Sequence, residues 1–261
     1  MFGIKTEEFK KSCYVEPGTQ LQINNGRGNI SIKGWEEDTI ELIAVKQGAL
    51  GLFMNQVMIE VNNEDRFVIN TKYCTSLSQG VSVDYIIRVP EGILVSQVET
   101  LAGNINIEHV AGGGIVQTVN GRIDISNISG DVTAKTTRGA VEINGVSGSV
   151  SAITVNGKVT VAEADCIKEI RTSRGTIFAE VSAIQEDLDI SSKSGGITVF
   201  INPGINADIT VGTSSGSISH EELPLSVIES TNNRLIATMG EGGKAINITT
   251  SSGPISLKLL P

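Results

Sequence analysis

Gly212-Thr213-Ser214-Ser215-Gly216 fits the spelling G-x-S-x-G, with His220 six residues beyond Ser214. A serine nucleophile in that motif needs a sharp strand-to-helix elbow that lifts its hydroxyl towards an oxyanion hole. No helical pattern follows here, and the motif falls on the turn of a repeat, so Ser214 reads as a turn residue. Asp124 and Glu142 hold equivalent places in successive repeats. Stacked strands would set them about 5 Å apart. That separation suits a retaining glycosidase pair, or a pair in which like-charge repulsion raises one carboxyl pKa. The neighbouring repeats put Asn106 and Thr160 at this place, and an aromatic sugar platform is offered only by Phe178, two repeats on. The two carboxylates therefore read as solvated outer-face charges. His109 and His220 are the only histidines, and no His, Asp or Glu cluster has metal-ligand spacing. Gly112, Gly113 and Gly114 lack the GK[ST] and helix of a phosphate loop. Three cysteines (Cys13, Cys74, Cys166) are odd in number and lack CxxC spacing, which indicates neither a disulfide framework nor a zinc site. No catalytic residue, metal or cofactor is expected.

Basic residues form the more distinctive pattern. Seven lie between residues 115 and 176, and six of them flank a recurring T-x-x-G corner. Arg138 and Arg174 immediately precede the glycine, Arg122 and Lys158 immediately follow it, and Lys135 and Arg171 stand four residues before it. The six acids of this stretch fall at other offsets. Stacking the repeats would collect the positive charge along one edge, a docking strip for a polyanion such as an anionic glycan or a lipid headgroup layer. Exposed turns also accept Lys and Arg because these discourage edge-to-edge pairing, and that plainer reading stands beside the first.

The elements that position these residues are set by an 18-residue repeat. Gly103, Gly121, Gly139, Gly157 and Gly175 stand 18 apart, and each opens a short alternating run: GNINI, GRIDI, GAVEI, GKVTV, GTIFA. Three residues before each glycine is a threonine: Thr100, Thr118, Thr136, Thr154 and Thr172. The pattern continues more loosely at Ser192/Gly195, Thr213/Gly216 and Thr250/Gly253. Alternation of period two is strand, not helix. Each unit then holds two short strands and two turns, one at T-x-x-G and one near a second glycine, with Cys166 packed at that place in one copy. Six small apolar side chains supply about 10 kcal/mol of gross burial, against roughly 18–36 kcal/mol to order 18 backbones. No unit is stable alone, so stacking must supply the rest. The reading is an all-β fold: a single-stranded β-helix or β-solenoid of about 18 residues per rung, right-handed by the usual crossover preference. The threonine column is expected to point inward with its hydroxyls bonded along the stack, and the glycines to turn with positive φ.

The chain reads as one domain, 1–261, with a β-rich cap and first irregular rungs over 1–98 and the repeats over 99–261. Candidate strands in the first part are 21–23, 29–33, 40–45, 57–61, 67–71 and 81–89, with a divergent repeat at Gly28. At the other end Pro254 and Pro261 are suited to blunting a final edge strand. Net charge is −9, which argues against a surface built for nucleic acid. Apolar runs stop well short of 18 residues, so no transmembrane helix is expected. The opening MFGIKTEEFKKSCYVEPG has no apolar h-region, so no export signal or anchor is read and the face-value location is cytoplasmic.

The segment EEFKKSCYVEPGTQLQINNGRGNISIKGWEEDTIEL, then YIIRVPEG, then serial T-x-x-G-x-[IV]-x-[IV] units resemble the bacterial "putative adhesin" family of β-solenoid domains. They are similar also to the head domains of auto-transporter adhesins of that type. The resemblance implies a single-stranded β-helix in exported or membrane-anchored proteins, hence the cell envelope or surface. It implies no activity and no catalytic residues. A non-enzymatic binding or adhesion-like module is the leading functional expectation. A scaffold that self-associates end to end comes second, and a polysaccharide-acting enzyme third.

Overall fold

The computed structural model describes residues 4–220 and 222–260. Among these the chain is all-β, with 23 strands, two short 3-10 turns and no α-helix. It divides into two compact units, residues 1–130 and 131–261.

Two rows of strands build the first unit. In one row the order is Val57–Asn63, Phe67–Tyr73, Gln20–Arg27, Leu94–Ala102, Gly114–Asn120. In the other it is Ile4–Tyr14, Thr39–Ala49, Ser82–Pro90, Ile30–Trp35, Ile105–Ala111, Ile123–Ser129. Repeats pair in parallel and in register: Thr118 opposite Thr100, Ile123 opposite Ile105. The divergent unit at Gly28 pairs in the same way, with Asn25 opposite Thr100 and Ile30 opposite Ile105. All six expected strands of this part are present. Ile4–Tyr14 is an addition, hard to read beforehand because this outer strand buries none of its side chains.

In the second unit one row runs Val132–Arg138, the later half of Val141–Asn156, the later half of Val159–Arg174, then Leu188–Ser194, Lys244–Ser252, Ala207–Ser215, Arg234–Met239, Leu225–Ser230. The other row takes the early halves of the same two long strands, then Ile177–Val181, Ile197–Ile201, Ile255–Leu259, Ile218–Ser219. Two repeats thus run through their second turn as continuous 16-residue strands, bent where the register slips between Val146 and Ser149. The Thr250/Gly253 repeat lies between the Ser192/Gly195 and Thr213/Gly216 repeats, not at the end of the stack. Pro254 therefore blunts no edge: its carbonyl accepts from Ile197 N at 3.0 Å within the ladder. Pro261 lies outside the described residues. The chain reaches this interior position through a turn at Gly240, Gly242 and Gly243, all at positive φ, where side chains other than glycine are rarely tolerated.

The T-x-x-G motif is a latch between neighbouring repeats. The threonines are buried, and their hydroxyls donate to the glycine carbonyl of the adjacent repeat: Thr118 to Gly103 at 3.1 Å, Thr154 to Gly139 at 3.0 Å, Thr172 to Gly157 at 3.2 Å. This inward ladder meets the expectation. The expected positive φ holds at Gly103 (159°), Gly139 (154°), Gly175 (153°), Gly195 (142°) and Gly253 (142°), but it is not the demand common to all the repeat glycines. Gly121 and Gly157 are not at positive φ, yet a Cβ on either would fall 1.8 Å from the carbonyl oxygen of Gly103 or Gly139. Close approach of two backbones, which only glycine permits, is the shared requirement. A second row of positive φ lies six residues later, at His109 (55°) and Asn127 (54°) in the first unit and Gly145 (67°) and Glu163 (50°) in the second.

Candidate functional site

Alternation decides which side chains of the second unit reach solvent. Along Val132–Arg138 the residues Val132, Ala134 and Thr136 are buried, so Lys135 points outward from the same row of strands as Arg171, whose neighbours Ile170 and Thr172 are buried. Lys135 lies opposite Ile153, and Ile153 opposite Arg171. The two cations therefore share one face two strands apart, about 10 Å. Arg138, Asn156 and Arg174 form a second register line at the corner itself, and Lys158 stands just past the turn glycine with its side chain exposed. Five of the six basic residues singled out in the sequence thus belong to one corner of one unit. Arg122 belongs to the first unit, where its Nε donates to Asp124 Oδ1 at 2.5 Å.

Local acids temper this charge. Arg171 Nη2 is 2.6 Å from Glu169 Oε1, two residues back on its own strand. Glu169 lies in register with Asp189 on the next strand, and Asp189 accepts from Asn247 Nδ2 at 3.0 Å. An acidic line therefore runs beside the basic ones, and exposed ion pairs of this kind contribute at most about 1 kcal/mol each. Lys193, exposed in the Ser192/Gly195 corner, extends the basic edge by one repeat. It escaped the sequence reading because the glycine spacing widens there from 18 to 20, so a search at a fixed interval passes over it.

The other candidates fall apart chemically. Ser214 lies on the strand Ala207–Ser215, and the chain runs on into the strand Ile218–Ser219, not into a helix. Asp124 is held by Arg122, and Glu142 stands opposite Thr160 in the second unit. Cys166 is buried at 3% exposure in register with Ser149. Among the described residues no group of three or more His, Cys, Asp or Glu side chains is placed to hold a metal ion.

The family described as Toastrack DUF4097 matches residues 18–258. A Bacteroides fragilis structure described as a "putative adhesin" aligns over 96% of this chain and 97% of its own, at 10% identity and a TM-score of 0.50. A Clostridium sporogenes "putative cell adhesion protein" covers 97% and 100%, at 14% identity and a TM-score of 0.30. A Parabacteroides distasonis "putative adhesin" covers 96% and 97%, at 11% identity and a TM-score of 0.40. At such identities the Bacteroides likeness speaks to fold alone, and it agrees with an all-β chain. No protein of curated function matches the sequence. The family match spans nearly every strand described above and bears out the likeness to bacterial "putative adhesin" domains read from the T-x-x-G repeats: the chain belongs to the Toastrack DUF4097 family.

Proposed function

We propose that this chain is a capped β-solenoid that works as a non-enzymatic binding module, and that the basic corner of its second unit docks an extended polyanion, an anionic glycan of a cell-envelope surface. One observation carries the reading: Lys135 with Arg171, and Arg138 with Arg174, fall on shared register lines of the strand ladder. A ladder repeats its side chains at a fixed spacing, so it presents charge to a ligand that itself repeats, such as a polysaccharide. Adhesin-like neighbours support a binding role, and Ser214 on a strand and Asp124 held by Arg122 argue against catalysis at those residues. The test is the triple variant Arg138→Ser, Lys158→Ser, Arg174→Ser on a sulfated-glycan column. Wild-type protein is expected to be retained and to elute with salt, because screening weakens exposed charge contacts. The variant is expected to elute at lower salt, and unchanged retention overturns the proposal.

A second reading, end-to-end self-association, is favoured by Leu225–Ser230. Among the described residues this strand pairs with Arg234–Met239 alone, and it leaves Ile228 74% exposed at a register slip. An unpaired edge is a template for another strand. Concentration-dependent growth in light scattering, abolished by Ile228→Lys, is the result that would favour it.

A further inference from the structure

A hollow of about 400 Å³ opens on the outer face of the first unit, walled by Tyr73, Leu101 and Val119 with Gly26, Arg27 and Gln79 at its edges. Register explains why it exists. Asn25 lies opposite Thr100 and Thr100 opposite Thr118, while Arg27 lies opposite Ala102 and Ala102 opposite Asn120. Gly26, Leu101 and Val119 are therefore one outward row, and the row has no side chain at its first place. The Tyr73 ring fills that gap so closely that a Cβ on Gly26 would fall 2.6 Å from its Cε2. What remains is a recess with an aromatic wall and two aliphatic side chains that solvent reaches, Leu101 at 63% and Val119 at 40% exposure. Two large apolar side chains side by side, next to an aromatic ring, are the apolar part of a small-ligand site.

The polar part is asymmetric. Arg27 is exposed and takes part in none of the ion pairs among the described residues. Its carbonyl accepts the Tyr73 hydroxyl at 3.5 Å. Burial raises the Tyr73 pKa against the pull of that bond and of the Arg27 charge, so the phenol stays neutral and the guanidinium is the charge at the rim. One row away Glu99 lies opposite Asn24 and Gln117. It accepts from Gln97 Nε2 at 2.7 Å and also from Gln117 Nε2, and its negative charge would oppose a second anionic group on the ligand.

We infer that this hollow binds a single-chain amphiphile with one carboxylate head, the chain lying on Leu101, Val119 and the Tyr73 ring and the head on Arg27. The site is in the other unit from the basic corner and shares no residue with it, so either proposal stands or falls alone. The experiment is an amide chemical-shift titration of the full chain with hexanoate, heptanoate and octanoate, each below its micelle-forming concentration. Shifts are expected at Tyr73, Leu101 and Val119, with affinity rising up to about fourfold per methylene. Arg27→Gln should weaken octanoate about tenfold and leave 1-octanol unchanged, whereas Leu101→Ser should weaken both; each residue is exposed, so the fold survives the change. The inference is overturned if octanoate moves none of those amides, if Arg27→Gln binds it as wild type does, or if octyltrimethylammonium binds as tightly as octanoate.

Discussion

Replacing Gly157 with alanine tests whether close approach, not backbone torsion, fixes the repeat glycine. Gly157 is not at positive φ, so alanine meets no conformational penalty there. Its Cβ would instead sit 1.8 Å from Gly139 O, a backbone atom with no rotamer to escape into. Relief requires the two repeats to part by about 1 Å at the corner, enough to take a hydrogen bond beyond its working range. Three bonds join the repeats there: Gly139 N to Asn156 O at 3.0 Å, Val141 N to Lys158 O at 2.9 Å, and Thr154 Oγ1 to Gly139 O at 3.0 Å. Each contributes about 1 kcal/mol net, and the buried Thr154 hydroxyl, left without its acceptor, adds about 1–2 kcal/mol. The expected loss is about 4–5 kcal/mol, read from urea unfolding followed by circular dichroism. Gly212→Ala is the matched control, because its Cβ meets no atom within 4 Å and its φ is not positive. That variant should lie within about 1 kcal/mol of wild type, on the stabilising side, since alanine restricts the unfolded chain. If Gly157→Ala costs no more than Gly212→Ala, the close-approach account of the motif is wrong.

Two other predictions follow from single positions. Glu163, exposed and held at φ 50°, occupies a region that costs an ordinary L-residue roughly 1–2 kcal/mol; Glu163→Asn is expected to raise stability by about 0.5–1 kcal/mol in the same denaturation assay, and a loss would refute the strain. Tyr85 is 1% exposed with its hydroxyl 2.7 Å from Thr71 Oγ1, and burial pushes its pKa to about 12 against the countering Thr71 bond. Because the unfolded chain ionises first, near pH 10, folding stability from this group is intact below pH 10 and falls by about 2–3 kcal/mol as pH rises to 12. Tyr73, also raised, adds in the same direction. Tyr85→Phe should flatten the alkaline loss, and an unchanged slope between pH 10 and 12 would contradict it.

What could be read from the sequence, and what could not, divides along one physical line. The T-x-x-G interval is visible because two steric demands recur at every repeat: a buried hydroxyl such as Thr154 must meet the Gly139 carbonyl, and Gly157 must let that carbonyl pass. Periodicity names equivalent residues, however, and says nothing of which repeats are neighbours. Thr213, Thr250 and Ser192 all fit the motif, yet Thr250 lies between the other two, an order decided by the glycine turn near Gly240 and not by the motif. The positive-φ row is only partly legible for the same reason, since Gly145, Asn127 and His109 are residue types suited to it while Glu163 is not.

The candidate sites follow the same division. Lys135, Arg138, Arg171 and Arg174 were legible as an edge because the ladder carries a fixed interval into a fixed place, and Lys193 was lost once that interval changed. The hollow at Tyr73 has no interval at all. It arises where a repeat position is empty at Gly26, a ring from outside the repeat fills the gap, and two later repeats happen to carry Leu101 and Val119. A regular array builds long uniform faces, and a departure from regularity is what makes a recess in one. In this chain the recess sits where the array is first broken, so the residues that periodicity explains least are the ones to probe for ligand chemistry.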